Sequence, residues 1–134
     1  MKRIAILLAF AVLGCFCLTA CAKPEANNEN KEAVYMNITP QEAKSLMDSE
    51  SGYIILDVRT QEEYDERHIP GAVLIPDYEI AQRAGAELPD KDQLILVYCR
   101  SGRRSKLASE ILVDLGYTNI REFGGIIDWP YETE

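Results

Sequence analysis

The feature that most constrains the fold is a run at residues 94–98, LILVY, that is apolar at every position. A strand with one face in water alternates apolar and polar side chains, so a run without alternation indicates burial on both faces. Strands of this kind lie at the centre of parallel sheets that helices cover on each side. Residues 94–98 are therefore predicted to form the central strand of an α/β domain.

Short apolar runs and amphipathic segments alternate through the rest of the chain after residue 33. The predicted strands, besides the central one, are 34–36, 53–58, 72–75 and 119–123. The predicted helices are 40–48, 61–66, 77–84 and 105–115. Thr39 and Thr60 are the expected N-caps, and Gly116 is the expected end of the last helix. This order predicts a three-layer α/β domain with a central, mostly parallel sheet flanked by helices.

The apolar positions of the last predicted helix recur at helical spacing. They are Leu107, Ala108, Ile111, Leu112 and Leu115.

The net charge of the chain argues against one class of binding partner. Lys and Arg number 14 against 22 Asp and Glu, so the formal net charge is −8. Most of such a surface repels phosphates, which argues against nucleic acid as a partner. Acidic clusters such as Glu62-Glu63 are expected on a solvated helical face. We expect a monomer.

The pattern of the N-terminal region predicts an export signal. Lys2 and Arg3 precede an apolar run at 4–18 that ends in small residues. A run of about 15 residues is shorter than the roughly 20 that cross a bilayer as a helix. Residues 1–20 are therefore predicted to be a cleaved signal peptide, with an uncleaved anchor as the alternative.

Residues 18–21, LTAC, resemble the bacterial lipobox, in which the cysteine becomes lipidated. The resemblance implies that Cys21 attaches the protein to a bacterial membrane, at the periplasmic face or the cell surface. Residues 21–33 are polar and without periodicity, which predicts a flexible linker between the lipid and a domain at 34–134.

One thiol then remains, because Cys15 and Cys17 leave with the signal and Cys21 is lipidated. Exported domains usually pair their cysteines or avoid them, so the single Cys99 is a candidate reactive thiol. The lone His68 provides no cluster of metal ligands, and no metal site is predicted.

Cys99 follows the central strand directly, where ligands bind in open α/β sheets. The loop after it leads into a helix, so backbone N–H groups and arginines are expected to stabilise a thiolate and hold an anion. Cys99 is the predicted nucleophile, with an inert core thiol as the alternative. The predicted substrate-binding residues are Arg100, Ser101, Gly102, Arg103 and Arg104.

Several separated segments together resemble the rhodanese (sulfurtransferase) family, over roughly residues 34–129. They are LDVR at 56–59 with EY at 63–64, HIPGA at 68–72 with IP at 75–76, CRSGRRS at 99–105, and Gly124-Gly125 with Trp129.

The resemblance implies a persulfide mechanism on Cys99. A small sulfur-containing anion such as thiosulfate would donate a sulfane sulfur, and cyanide or a thiol would accept it. No metal or organic cofactor is implied. For Asp57 and Arg59 we favour a structural ion pair or loop brace near the site, and for His68 a role in holding a turn.

Three other functions stay open. Cysteine-dependent phosphatases carry C-x5-R, whereas the sixth residue after Cys99 is Ser105 and Arg104 falls one place earlier. A phosphatase is therefore the weakest of the three. A binding module without chemistry and a redox sensor based on an oxidisable Cys99 are the others.

Overall fold

The computed structural model describes residues 34–134. Within that range, five strands and four α-helices alternate, with 3-10 turns at Asp77–Glu79 and Ile126–Asp128. The strands are β1 (Met36–Asn37), β2 (Ile54–Asp57), β3 (Val73–Leu74), β4 (Ile95–Cys99) and β5 (Ile120–Gly125). The helices are α1 (Pro40–Ser49), α2 (Gln61–Glu66), α3 (Ile80–Glu87) and α4 (Arg103–Asp114).

The strands form one sheet in the order β1-β5-β4-β2-β3, and every neighbouring pair is parallel. β4 lies at the centre, with Val97 opposite both Leu56 of β2 and Glu122 of β5. All five residues of β4 are buried, as the unbroken apolar run predicted. The predicted α/β class with a central parallel sheet is confirmed.

Two apolar clusters cover the faces of the sheet. Ile95, Val97 and Cys99 of β4 pack in the cluster that includes Leu112 of α4. Leu96 and Tyr98 point to the opposite face, into the cluster that includes Ala43 of α1. Alternation along β4 therefore places the Cys99 side chain on the α4 side of the sheet.

Both predicted threonine caps are present. The Thr39 hydroxyl accepts from the Glu42 N–H at 3.1 Å, and the Thr60 hydroxyl accepts from the Glu63 N–H at 3.3 Å. In each case the glutamate carboxylate accepts from the cap residue's own N–H, which completes a capping box. Thr60 thereby fixes the start of α2 beside the loop that follows Cys99.

Some boundaries differ from the sequence prediction. β1 and β3 have two residues each, because they are the edges of the sheet and pair on one side only. The segment predicted as one helix at 77–84 begins as a 3-10 turn and continues as α3, a common way for a helix to start. Cys99 is the last residue of β4 rather than the first residue after the strand.

The apolar stripe predicted for α4 is only partly buried. Leu107 is 47% exposed and Leu115 is 36% exposed, whereas Ser105 and Ser109 are fully buried. The buried face of α4 is turned toward β4 and β5, and polar side chains occupy part of it. The buried face of α4 beside Cys99 is therefore partly polar.

The predicted signal peptide at 1–20, the lipidated Cys21 and the linker to residue 33 lie outside the described residues. Among residues 34–134, no helix is both long and apolar enough to cross a membrane.

Candidate active site

Cys99 is 1% exposed, and polar groups of the following loop and helix surround its sulfur. The Gly102 N–H donates to Cys99 Sγ at 3.0 Å, and the thiol lies 3.4 Å from Ser105 Oγ. Gly102 is the N-cap of α4, so the sulfur lies at the positive end of a twelve-residue helix. Backbone N–H groups at a helix N-terminus are the donors that anions bind in proteins.

Two glycines determine the shape of the loop. Gly102 has a φ of 102°, in the left-handed region that a side chain disfavours. Gly125 pairs with Cys99 in the sheet, and a Cβ built on it would lie 2.0 Å from the Arg100 carbonyl oxygen. The loop can therefore turn back over β5 only because position 125 has no side chain.

Fewer backbone N–H groups contact the Cys99 sulfur than the sequence predicted. Several N–H groups between Arg100 and Arg104 were expected to face Cys99. In the part of the chain that the structure describes, the hydrogen bond to Sγ comes from Gly102. The turn at Gly102 brings this one amide toward the end of β4.

The arginines of the loop have different surroundings. Arg104 donates two hydrogen bonds to the Glu63 carboxylate of α2, at 2.7 and 2.8 Å. These hydrogen bonds lower the pKa of Glu63 to about 2 and raise the pKa of Arg104. The expectation that Glu63 belongs to a merely solvated acidic face was wrong, because its side chain reaches a helix 41 positions later in the chain.

Arg100, Ser101 and Arg103 are exposed around the buried sulfur. Arg100 also lines a cavity of about 480 Å³ together with Arg59, Arg67 and Glu63. Glu63 and Glu66 also line this cavity, so the exposed positive charges nearest the sulfur are those of Arg100 and Arg103, in a domain whose composition is otherwise acidic.

Asp57 and Arg59 form a buried ion pair. Arg59 donates from Nη2 to Asp57 Oδ2 at 2.6 Å and to the Arg67 carbonyl oxygen at 2.6 Å. The Tyr98 hydroxyl donates to the same carboxylate at 2.5 Å and accepts from the Ile69 N–H at 3.1 Å. Burial and the Asp57 charge raise the pKa of Tyr98. This network ties β2 and β4 to the segment around residue 68, on the face of the sheet away from the Cys99 sulfur.

His68 lies in the turn between α2 and β3. Its ring stacks on Tyr64 with centroids 3.8 Å apart, and Nδ1 is 2.9 Å from the Tyr64 carbonyl oxygen. Nε2 lies 3.3 Å from a Glu134 carboxylate oxygen, and the two residues also exchange backbone hydrogen bonds. These contacts connect His68 with the end of the chain rather than with Cys99.

Two functional candidates were missed from the sequence, Glu63 and Glu122. Glu122 of β5 is 2% exposed and has no Lys or Arg within ion-pair distance among the described residues. It accepts from Ser105 Oγ at 2.5 Å and from the Gly124 N–H at 2.9 Å. One sequence signal was available, since Glu122 lies two positions after the core residue Ile120 in a strand and so shares its face.

A larger cavity of about 790 Å³ lies on the α1 side of the sheet, lined in part by Met47, Tyr53, Trp129 and Tyr131. None of the residues from Cys99 to Arg104 lines it. This larger cavity is separate from the reactive thiol. The candidate active site is therefore Cys99 with the loop that follows it.

A buried cysteine that ends the central parallel strand, followed by a basic loop at a helix N-terminus, defines a class of α/β proteins with a cysteine-centred anion site. The family model described as Rhodanese-like domain matches residues 39–130. The chain therefore belongs to the rhodanese-like family.

Known relatives agree with this assignment. Thiosulfate sulfurtransferase PspE of Escherichia coli is 42% identical over 73 residues, which cover 54% of this chain and 70% of that protein. A solved rhodanese with anions from E. coli is 38% identical, with a TM-score of 0.58, and the match covers 61% of this chain and 96% of that one. The rhodanese-like domain of an Anabaena protein has a TM-score of 0.69 at 28% identity, covering 75% and 80%.

Other relatives are longer than this chain. The match covers 58% of a Bacillus subtilis protein and 24% of a Candida albicans protein. Sulfur transfer is the general chemistry that the named relatives support.

Proposed function

We propose that the protein is a sulfurtransferase in which Cys99 carries the transferred sulfur as a persulfide. The observation that carries the proposal is the position of Cys99 Sγ, 3.0 Å from the Gly102 N–H at the N-terminus of α4. Membership of the rhodanese-like family supports the same chemistry.

The reaction has two displacement steps. The Cys99 thiolate attacks the outer sulfur of thiosulfate, a new S–S bond forms, and sulfite leaves with the electron pair of the bond that breaks. Cyanide or a thiolate then attacks the outer sulfur of the persulfide, and the Cys99 thiolate leaves. Both steps start and end with a sulfur anion, which the helix N-terminus and the Gly102 N–H stabilise throughout.

The loop arginines give the site its preference for anions. Arg100 and Arg103 are exposed beside the sulfur and would attract a doubly charged donor such as thiosulfate. Arg104 has a structural role instead, because its two hydrogen bonds to Glu63 fix the first turn of α4. A single covalent intermediate on one cysteine predicts ping-pong kinetics.

Formation of thiocyanate from thiosulfate and cyanide tests the proposal. The purified protein, incubated with thiosulfate and cyanide, is expected to form thiocyanate, and Cys99→Ser is expected to form none. Tyr78→Phe, an exposed substitution in the 3-10 turn before α3, serves as the matched control and should retain the activity. Hydrolysis of an aryl phosphate without thiocyanate formation would instead favour a phosphatase.

We further propose that the protein is exported and lipid-anchored at Cys21. The lipobox-like segment LTAC at 18–21 supports this. Expression of the full chain in a bacterium should place it in the detergent-soluble membrane fraction, and Cys21→Ala should release it from that fraction. An unchanged distribution of the variant would argue against the anchor.

A further inference from the structure

The carboxylate of Glu122 is buried on the same side of the sheet as Cys99, and the reaction proposed above does not use it. An ionised carboxylate removed from water without a cation nearby is costly, and two anions close together raise each other's pKa. Glu122 has no Lys or Arg within ion-pair distance among the described residues, and it shares the hydroxyl of Ser105 with Cys99.

The Ser105 hydroxyl has one proton and several acceptors around it. They are Glu122 Oε1 at 2.5 Å, the Gly102 carbonyl oxygen at 3.0 Å and the Gly124 carbonyl oxygen at 3.4 Å. The shortest contact is to the Glu122 carboxylate, as expected for a hydrogen bond to a charged acceptor. The Cys99 thiol, 3.4 Å away, can then donate its proton to the oxygen of Ser105.

We propose that Glu122 and Cys99 share one proton through Ser105, so that Glu122 takes up the thiol proton when Cys99 becomes a thiolate. In the transfer, the Cys99 S–H bond breaks and its proton joins Ser105 Oγ. The original Ser105 proton passes to Glu122 Oε1. The products are a Cys99 thiolate, an intact Ser105 hydroxyl that donates to it, and a neutral Glu122 carboxylic acid that donates to Ser105.

The transfer conserves charge inside the protein, because one negative charge moves from Glu122 to Cys99. At Cys99 that charge lies beside the Gly102 N–H and the N-terminus of α4. A neutral Glu122 then places no second anion next to the thiolate or, if the proposed function holds, next to the persulfide. Glu122 acts through Ser105 and is therefore a positioning residue.

Few other charged groups face this pair. The Coulombic influence of Glu122 extends to Tyr35, whose pKa is raised by burial and then by Glu110 and Glu122. On the Cys99 side, the charged neighbours are Arg104 of α4, whose guanidinium Glu63 holds, and the exposed Arg100 and Arg103. Tyr35 ionises only in alkaline solution, so the proton shared through the Ser105 hydroxyl is that of Cys99 and Glu122.

The test uses the reduced protein without any sulfur donor, so it stays informative even if thiosulfate proves not to be a substrate. Thiolate absorbance and the carboxyl resonance of Glu122 in protein labelled with carboxyl-¹³C glutamate are followed against pH. Two groups that share a proton titrate together in two coupled steps. We therefore expect both signals to change over the same pH ranges.

Single substitutions test which residues cause the two coupled titration steps. Glu122→Gln should reduce the thiolate titration to a single step, and Cys99→Ser should reduce the Glu122 titration to a single step. Ser105→Ala removes the hydrogen-bonded path while leaving both groups in place, so the coupling should weaken to what the two charges exert through space. Glu110→Gln, the same chemical change at an exposed position of α4, should behave as the unsubstituted protein does.

Independent single-step titrations of Cys99 and Glu122 in the unsubstituted protein would overturn the proposal. So would a thiolate titration that is unchanged by Glu122→Gln. Glutamine can keep the hydrogen bonds to Ser105 and the Gly124 N–H, so a purely structural role of Glu122 predicts that unchanged titration. If Glu122→Gln does not fold, the comparison of the unsubstituted protein with Cys99→Ser decides the question alone.

Discussion

Glu63 and Arg104 join α2 to the first turn of α4 through two hydrogen bonds of 2.7 and 2.8 Å. Glu63 also completes the capping box of α2 with Thr60. A two-point contact of this kind fixes the orientation of the guanidinium as well as its position. The helix that presents its N-terminus to Cys99 is therefore held by a residue from another part of the chain.

Glu63→Gln should lower the free energy of unfolding by about 1–2 kcal/mol, because one of two charge-assisted hydrogen bonds to Arg104 is lost. Glutamine at this position can still complete the capping box, so the change reports on the Arg104 contact. Urea unfolding at neutral pH measures the loss, and the exposed Glu62→Gln is the control. Equal stability of the two variants would mean that the Glu63–Arg104 pair contributes nothing to the fold.

The same contact predicts a dependence on pH. The pKa of Glu63 is about 2 in the folded protein, below its ordinary value of 4.5, because Arg104 stabilises the carboxylate. Its contribution to stability is complete above pH 4.5 and is lost as the pH falls through about 2. The stability difference between the unsubstituted protein and Glu63→Gln should therefore shrink over that range. A difference that stayed constant with pH would contradict the assignment.

Gly125→Ala should inactivate the site. The added Cβ would lie 2.0 Å from the Arg100 carbonyl oxygen, so the loop must move away from β5. We expect a large loss of thiocyanate formation. The matched control is Gly85→Ala in α3, where the new Cβ meets no atom within 4 Å beyond its chain neighbours and the backbone of its own helix, and the helix should gain about 0.5–1 kcal/mol. Normal activity in Gly125→Ala would show that the loop does not depend on this close approach.

Asp57→Asn should lower the free energy of unfolding by about 3–5 kcal/mol, since it leaves the Arg59 charge buried without its counter-ion. Asp57 is fully buried, and the Arg59 side chain is 5% exposed. Asp48→Asn removes an exposed partner of Lys44 and should cost less than about 1 kcal/mol. Thermal or urea unfolding of both variants checks the contrast, and similar losses would refute the structural importance of the buried pair.

The order of the elements followed from local patterns in the sequence. The unbroken apolar run identified β4, and Thr39 and Thr60 marked the starts of α1 and α2. Cys99 was recognisable because it ends that run and precedes a glycine before a helix. Each of these signals lies within a few residues along the chain, where spacing translates directly into geometry.

The contacts that complete the site join residues that are distant in sequence. Local spacing therefore could not predict them. Arg104 reaches Glu63, and Ser105 reaches Glu122 seventeen positions later. The capping-box spacing from Thr60 distinguishes Glu63 from its solvated neighbour Glu62, but it does not show that the Glu63 carboxylate also reaches Arg104. The burial of Ser105 in place of Leu107 depends on the rotation of α4 against the sheet, which the helical spacing of its leucines did not determine.

Mass spectrometry of the intact protein after incubation with thiosulfate tests the central claim most directly, with peptide mapping to locate any added sulfur. We predict a reducible gain of about 32 Da, one sulfur atom, on the peptide that contains Cys99, and no gain at that position in Cys99→Ser. The gain should disappear when cyanide is added, with thiocyanate as the product. A folded protein with a free Cys99 that takes up no sulfur at that residue would contradict the account.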